Sequence, residues 1–286
     1  MKQEVCLAKI TNQYETLSKI ERKAADYILA NSEAVIGMNV AELAGQAQVA
    51  GSAVIRFCKK LGYSGYTEFR MALTQELARR TEKVMPILEG SGTAAQTVNR
   101  VFASGIRTLQ NTLAMLDCGR LEALADALEG AKRVCLFGVG TSSAVAEDIA
   151  YRLLQLGIPA ASYTDILFMP VAAMNLGQGD VAIAVSHSGR TAATVQALCL
   201  ARRQGARTAA VTSYQSSPLA QEAELVLVAY PDDVNYPVEA VSARLAHSCI
   251  FDALTAILTL RGGDEALERL RTRNDILEKI RKEESK

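Results

Sequence analysis

Between residues 134 and 229, five short runs of apolar and β-branched residues alternate with helix-patterned stretches. That alternation restricts the fold more than any other feature of the chain. The runs are Val134–Phe137, Pro159–Tyr163, Val181–Val185, Thr208–Thr212 and Leu225–Ala229. Helical patterns fall at about 143–156, 166–176, 191–204 and 217–222, and a long one covers about 238–260. Strands that recur after helical crossovers run parallel, and a parallel sheet needs helices on both faces to bury it. The expected class is an αβα sandwich around a five-stranded parallel, flavodoxin-like sheet, preceded by an all-helical domain. The expected division is a helical domain at 1–80, a linker at 81–105 that includes Gly90, Ser91 and Gly92, and the sheet domain at 106–286.

Two strand ends in this pattern are rich in small hydroxyl residues. After the first strand come Gly138, Gly140, Ser142 and Ser143; after the third come Ser186, His187, Ser188, Gly189, Arg190 and Thr191. Each series leads straight into a helix. In the strand order 2-1-3-4-5, strands one and three flank the point where the order reverses, and ligands of such sheets bind there. Glycines let a ligand approach the backbone, hydroxyls donate to oxygens, and two helix N-termini supply positive dipole ends. The pattern describes an anion site of a size to hold a phosphate on a hydroxylated small molecule. One such loop alone reads equally as a turn with a serine N-cap. The first loop also misses the dinucleotide fingerprint, because Ser143 stands where its third glycine belongs and Asp165 lies 25 residues beyond Gly140. Asp165 itself reads as a helix cap.

Residues 1–80 carry helical patterns and no convincing strand. Ser18 with Glu21 forms a capping box, and Asn39 with Glu42 opens a second short helix. A break at Gln48–Ala50 separates that helix from one at about Gly51–Leu61, which are helix-turn-helix dimensions. In the latter helix Val54, Phe57, Cys58 and Leu61 make an apolar stripe, while Ser52, Arg56, Lys59 and Lys60 occupy the other faces. A recognition helix needs this division, with one face docked on its bundle and a basic face for groove and phosphates. An ordinary solvated helix carries the same pattern, and the local charge adds only a mild excess of 11 basic over 8 acidic residues.

The rest of the composition narrows the alternatives. Lys plus Arg equal Asp plus Glu at 31 each and 49% of residues are hydrophobic, which excludes a disordered or fibrous chain. No apolar run approaches the roughly 20 residues of a membrane span, and the N-terminus shows no apolar signal region, so a cytoplasmic protein is expected. The six cysteines lie no closer than 17 residues apart and there are only two histidines, His187 and His247. Buried, reduced thiols are expected, with no metal site and no cofactor.

The chain resembles the RpiR family of bacterial transcriptional regulators over nearly its whole length. The resemblance rests on FGVGTSS at 137–143, SHSGRT at 186–191, VTSYQSSPLAQEAELVL at 211–227 and VIRFCKKLGYSGYTEFR at 54–70. It implies an N-terminal helix-turn-helix domain joined to a sugar isomerase (SIS) domain that senses phosphosugars. The resemblance carries an effector site onto Gly140, Ser142, Ser143, Ser186, Ser188, Gly189 and Thr191, with side roles for His187 and for Glu239 ahead of the long last helix. It carries DNA contact onto Gly51, Ser52, Arg56, Lys59 and Lys60. The chain departs from the family's VSxxTVxRF pattern by placing alanine at positions 50 and 53, which removes an N-cap and one phosphate or base contact.

The reading that follows is a DNA-binding transcriptional regulator of carbohydrate metabolism. A phosphosugar would control its affinity for a palindromic operator, and the protein would act as a homodimer or homotetramer. The rival is a phosphosugar isomerase or lyase with a helical appendage, for which Glu239 and His187 are the only bases that can be named.

Overall fold

The computed structural model describes residues 6–79, 93–232 and 241–284. By compactness the chain falls into two units. One comprises residues 1–115 with 230–242; the other comprises 116–229 with 243–286.

The first unit opens with six helices: α1 (Cys6–Gln13), α2 (Lys19–Ala30), α3 (Ser32–Val35), α4 (Val40–Gln46), α5 (Gly51–Lys60) and α6 (Tyr66–Arg79). Both capping boxes form as the sequence indicates. Ser18 accepts from the Glu21 amide while Glu21 reaches back to the Ser18 amide, and Asn39 does the same with Glu42. Ile10, Ile28, Leu43, Val54, Phe57, Phe69 and Leu73 are fully buried at the centre of the bundle. Between α4 and α5 the turn closes with two hydrogen bonds, Val49 N to Ala44 O at 2.9 Å and Gln48 N to Gly45 O at 3.2 Å. This six-residue C-terminal motif requires a left-handed residue, and Gln48 takes it at φ +54° where glycine is usual. The deeply buried Cys58 thiol is pushed up to about 12, which makes it a packing group. No disulfide joins the cysteines, and of the six expected to be buried only Cys6, Cys58 and Cys135 are; Cys199 is half-buried and Cys118 and Cys249 are exposed.

Of the expected linker at 81–105, residues 81–92, with Gly90, Ser91 and Gly92, lie outside the described residues, and 94–105 belong to α7 (Ala94–Met115). This helix holds the segment that follows the last strand. Arg107 Nε meets Asp232 at 2.6 Å. Thr108 Oγ1 donates to Ser242 Oγ and accepts from the Asp232 amide, both at 2.9 Å, and Thr112 Oγ1 accepts from the Tyr230 amide at 3.0 Å.

The second unit runs α8 (Cys118–Glu129), β1 (Val134–Phe137), α9 (Thr141–Gln155), β2 (Ala160–Tyr163), α10 (Phe168–Met174), β3 (Val181–Ser186), α11 (Ala192–Arg203), β4 (Arg207–Thr212), α12 (Pro218–Glu222) and β5 (Leu225–Val228), then α13 (Val241–Glu284). The sheet is parallel throughout with order β2-β1-β3-β4-β5. Alternate residues divide its two faces, as a pleated strand dictates. Val134, Leu136, Val181, Ile183, Val185, Val211 and Leu227 pack under α8, α9 and α13. On the other face Cys135, Phe137, Ala182, Ala184 and Ala210 pack under α10, α11 and α12. The last helix outruns the expected 238–260. It continues to Glu284 but is interrupted at Gly263, whose φ of +52° and ψ of −136° are not helical. The first half of α13 is apolar enough for a membrane span by composition, yet it lays Ala246, Ile250, Phe251, Leu254 and Leu258 into the domain core.

Candidate functional site

Strands β1 and β3 pair directly, Phe137 opposite Ala184, so the two hydroxyl-rich loops leave adjacent strand ends at the point where strand order reverses. On the β1 side Gly138 is locked in place, because a Cβ there would lie 2.7 Å from the Ser142 carbonyl oxygen. Gly140 caps α9 with φ +62°, a backbone that favours glycine. Ser142 and Ser143 are half-buried in the first turn, and Ser143 Oγ donates to Gly140 O at 2.8 Å.

On the β3 side Ser186 is buried, and its Oγ accepts from the Gly189 amide at 3.1 Å. Ser188 Oγ accepts from the Arg190 amide at 3.3 Å. Gly189 is buried at φ +61°, and a Cβ there would lie 2.2 Å from Ser217 Oγ. Thr191 is the N-cap residue of α11, half-buried, and its side chain caps nothing.

Helices α2, α4, α8 and α12 each carry a side-chain cap, from Ser18, Asn39, Asp117 and Ser217 respectively. Neither α9 nor α11 has one, and α3 and α5 also lack one; α9 and α11 differ in opening at adjacent strand ends. The serines around the strand ends therefore do not serve as N-caps, and the positive ends of two helices face the strand termini with no acceptor side chain on them. Asp165, by contrast, behaves as a cap, accepting from the amides of Leu167 and Phe168 at 2.8 and 3.1 Å just ahead of α10.

His187 lies between the two loop serines, half-buried. Its Nδ1 is 2.9 Å from Ser213 Oγ, which is in turn 3.4 Å from Nε2 of His247. Burial pushes the His247 pKa down to about 3, because a charged imidazole there would be stripped of water. Neither Ser213 nor His247 stood out as a site residue in the sequence. The available signal was a histidine in the apolar spacing of Ala243, Ala246 and Ile250. Glu239 lies outside the described residues. No cluster of metal-ligating side chains occurs among the described residues.

In the helical bundle, α5 presents Ser52, Arg56, Lys59 and Lys60 on its exposed faces, with Gly51 half-buried at its start. Lys60 is turned back onto the bundle, donating to Thr16 O at 2.6 Å and pairing with Glu21 at 3.3 Å. Ala50 is the N-cap residue and supplies no side-chain bond. Ala53 is only 3% exposed, so the side chain at that position faces the core and not a groove.

Comparison with known proteins assigns both halves. Residues 5–80 match the model of the helix-turn-helix domain of the rpiR family, and residues 127–257 match the SIS domain. The chain is 34% identical over 276 residues to the HTH-type transcriptional regulator HexR of Escherichia coli (strain K12), covering 96% of this chain and 95% of that protein. It is 31% identical over 267 residues to the HexR regulator of Pseudomonas aeruginosa, covering 93% of each. Among solved structures, the Vibrio vulnificus NanR protein complexed with ManNAc-6P superposes with a TM-score of 0.62 at 27% identity, over 96% of this chain and 99% of that one. The sugar isomerase domain of an RpiR transcription factor from Sphaerobacter thermophilus gives 0.58 at 30% identity, over 63% of this chain and 99% of that one. The helix-turn-helix and the parallel sheet with its loops thus stand in one chain in the order these regulators share, and the protein belongs to the rpiR family of DNA-binding transcriptional regulators.

Proposed function

We propose that this regulator takes a phosphosugar between the β1–α9 and β3–α11 loops, and that the occupied site changes its affinity for operator DNA. The observation that carries the reading is the pair of uncapped helix N-termini at adjacent strand ends, supplied with hydroxyls from Ser142, Ser188 and Thr191. A phosphate dianion completes the first turns of both helices. Glycines at 140 and 189 keep the backbone accessible to it. NanR, which was solved with ManNAc-6P, supports the phosphosugar class. In this reading residues 1–80 contact DNA and 106–286 hold the effector. The protein works as a homodimer or homotetramer in the cytoplasm on a palindromic operator, since one short recognition helix reads too few base pairs alone. By linkage, DNA and effector alter each other's affinity by the same factor.

The test is thermal unfolding against a panel of sugar phosphates, including N-acetylmannosamine 6-phosphate, beside their plain sugars. A matching effector at 100 times its Kd stabilises the protein by about 2.7 kcal/mol. The plain sugar has no effect, and the effector returns unchanged by NMR. Ser188→Ala removes the shift. An effector that comes back isomerised or cleaved decides for enzyme chemistry instead.

On the DNA side, Arg56→Ala and Lys59→Ala each weaken operator binding and lower the slope of log K against log salt by about 1, whereas Lys60→Ala lowers it less, because Lys60 is already paired with Glu21. Equal slopes for all three variants would refute that assignment of α5.

A further inference from the structure

We propose that a second copy of this chain docks on an uncharged apolar patch at the β2 edge of the sheet, between α9 and α10. The inference rests on the oligomer reading above and deepens it by naming the surface on which the copies meet.

The patch begins in the sequence. Residues 166–174 read Ile-Leu-Phe-Met-Pro-Val-Ala-Ala-Met, nine in a row without a charge or a hydroxyl. A helix that is apolar all round belongs in a core. Yet α10 buries only Met169 and Ala173. Leu167, Phe168, Val171 and Met174 face outward, as do Tyr151 and Leu154 one turn apart on α9, and each of the six is between 52% and 72% exposed. A groove of about 470 Å3 joins the two helices. It is lined by Leu154 of α9, Phe168 and Val171 of α10, and Ala160, Ala161 and Tyr163 of β2, which is an outer strand of the sheet.

Area and charge identify the occupant. At roughly 150–250 Å2 for a large apolar side chain, the six leave about 700 Å2 exposed. That exceeds the roughly 300–600 Å2 of the largest apolar patch on an ordinary monomer and approaches the ~800 Å2 that each partner gives to a standard interface. The arginines beside the patch are already paired within the chain. Arg152 meets Asp148 at 2.7 Å and Asp252 at 3.0 Å, and Arg133 meets Asp180 at 2.6 Å. The six residues contribute no cation, whereas the phosphates of DNA or of a lipid surface call for several. An uncharged apolar patch is complementary to itself, and a two-fold axis brings it against its own copy. Position agrees with this choice. Helix α9 opens with Ser142 and Ser143 beside the β1 strand end and carries Tyr151 about 14 Å further along, so one helix links the candidate effector loop to the interface.

Gel filtration with light scattering on the full-length protein is the test. The wild type elutes at a multiple of 30.7 kDa. Val171→Glu and Leu154→Glu each set a carboxylate in the middle of the patch. Each halves that mass at the same concentration and raises the dissociation constant between copies about 100-fold or more, with the circular dichroism of the wild type unchanged. Leu260→Glu, at an exposed leucine of α13 outside the patch, keeps the wild-type mass. A mass that neither patch variant changes overturns the proposal and leaves the oligomer reading in place. A wild type of 30.7 kDa, whether or not it binds phosphatidylcholine vesicles, overturns both. If neither patch variant folds, amide exchange of the wild type decides. Residues 166–174 exchange more slowly in the assembled protein than in protein diluted to the monomer, and equal rates overturn the proposal.

Discussion

Gly189→Ala will destabilise the sheet unit by about 3 kcal/mol and abolish phosphate binding. Two effects add. An alanine at φ +61° costs about 1 kcal/mol over glycine. Its Cβ also arrives 2.2 Å from Ser217 Oγ, 2.4 Å from Ser217 Cβ and 3.0 Å from Thr212 Oγ1. Overpacking of this kind costs about 1–3 kcal/mol. Ser217 cannot step aside cheaply, because it caps α12 by accepting from the Ala220 amide, and Gly189 O accepts from the Leu219 amide at 3.0 Å. The melting temperature should fall by about 6–12 °C for a unit of this size. Gly205→Ala is the matched control. It has a left-handed φ of +89° and an approach no closer than 3.9 Å, so it loses about 1 kcal/mol and keeps phosphate binding. Equal losses at the two positions would show that backbone strain alone, and not the crowded strand end, decides the outcome.

Acid will destabilise the protein through His247. An unfolded histidine titrates near pH 6.5, but in the fold this imidazole stays neutral down to about pH 3. Below pH 6.5 the unfolded chain binds a proton that the native state refuses. The stability contributed by neutral His247 is therefore complete above pH 6.5 and is lost as pH falls toward 3. Between pH 7 and 5 the loss is about 2 kcal/mol. Urea unfolding of wild type and His247→Gln at both pH values isolates it, since carboxylates titrate alike in the two proteins. The wild type should lose about 2 kcal/mol more than the variant. Parallel losses would mean that water reaches the imidazole in solution.

The sheet was readable almost residue by residue, and the reason is periodicity. Val134–Phe137 and Val181–Val185 are continuous apolar runs, the pattern of strands covered on both faces, and their bounds agree with the structure to within a residue. The same logic found the apolar stripe of α5. Long-range pairing defeated it. Nothing near Lys60 announces that its ammonium reaches Thr16 and Glu21, 44 and 39 residues away. Ala53 looked like a missing groove contact because spacing alone does not say how a short helix rolls on its bundle, and it proves to be core. At the strand ends the loops were visible as hydroxyl-rich turns. Whether their serines cap helices was not, because that depends on side-chain direction. Ser213 and His247 went unnoticed for a related reason, since the contacts that join them to residue 187 exist only where the end of β4 and α13 converge. In α13 the helical pattern continues past Gly263, and only the backbone shows the break there.

The clasp on α7 bears on where this chain can be cut. Residues 230–242 lie between β5 and the body of α13 in sequence but belong to the first unit, so the backbone passes from one unit to the other at 115, at 229 and again at 242. A sensor fragment started at residue 116, where the second unit begins, strips Tyr230, Asp232 and Ser242 of Thr112, Arg107 and Thr108, leaving a polar excursion without the helix built to receive it. Excision or domain exchange that treats α7 as a dispensable spacer therefore removes the partners of Tyr230, Asp232 and Ser242.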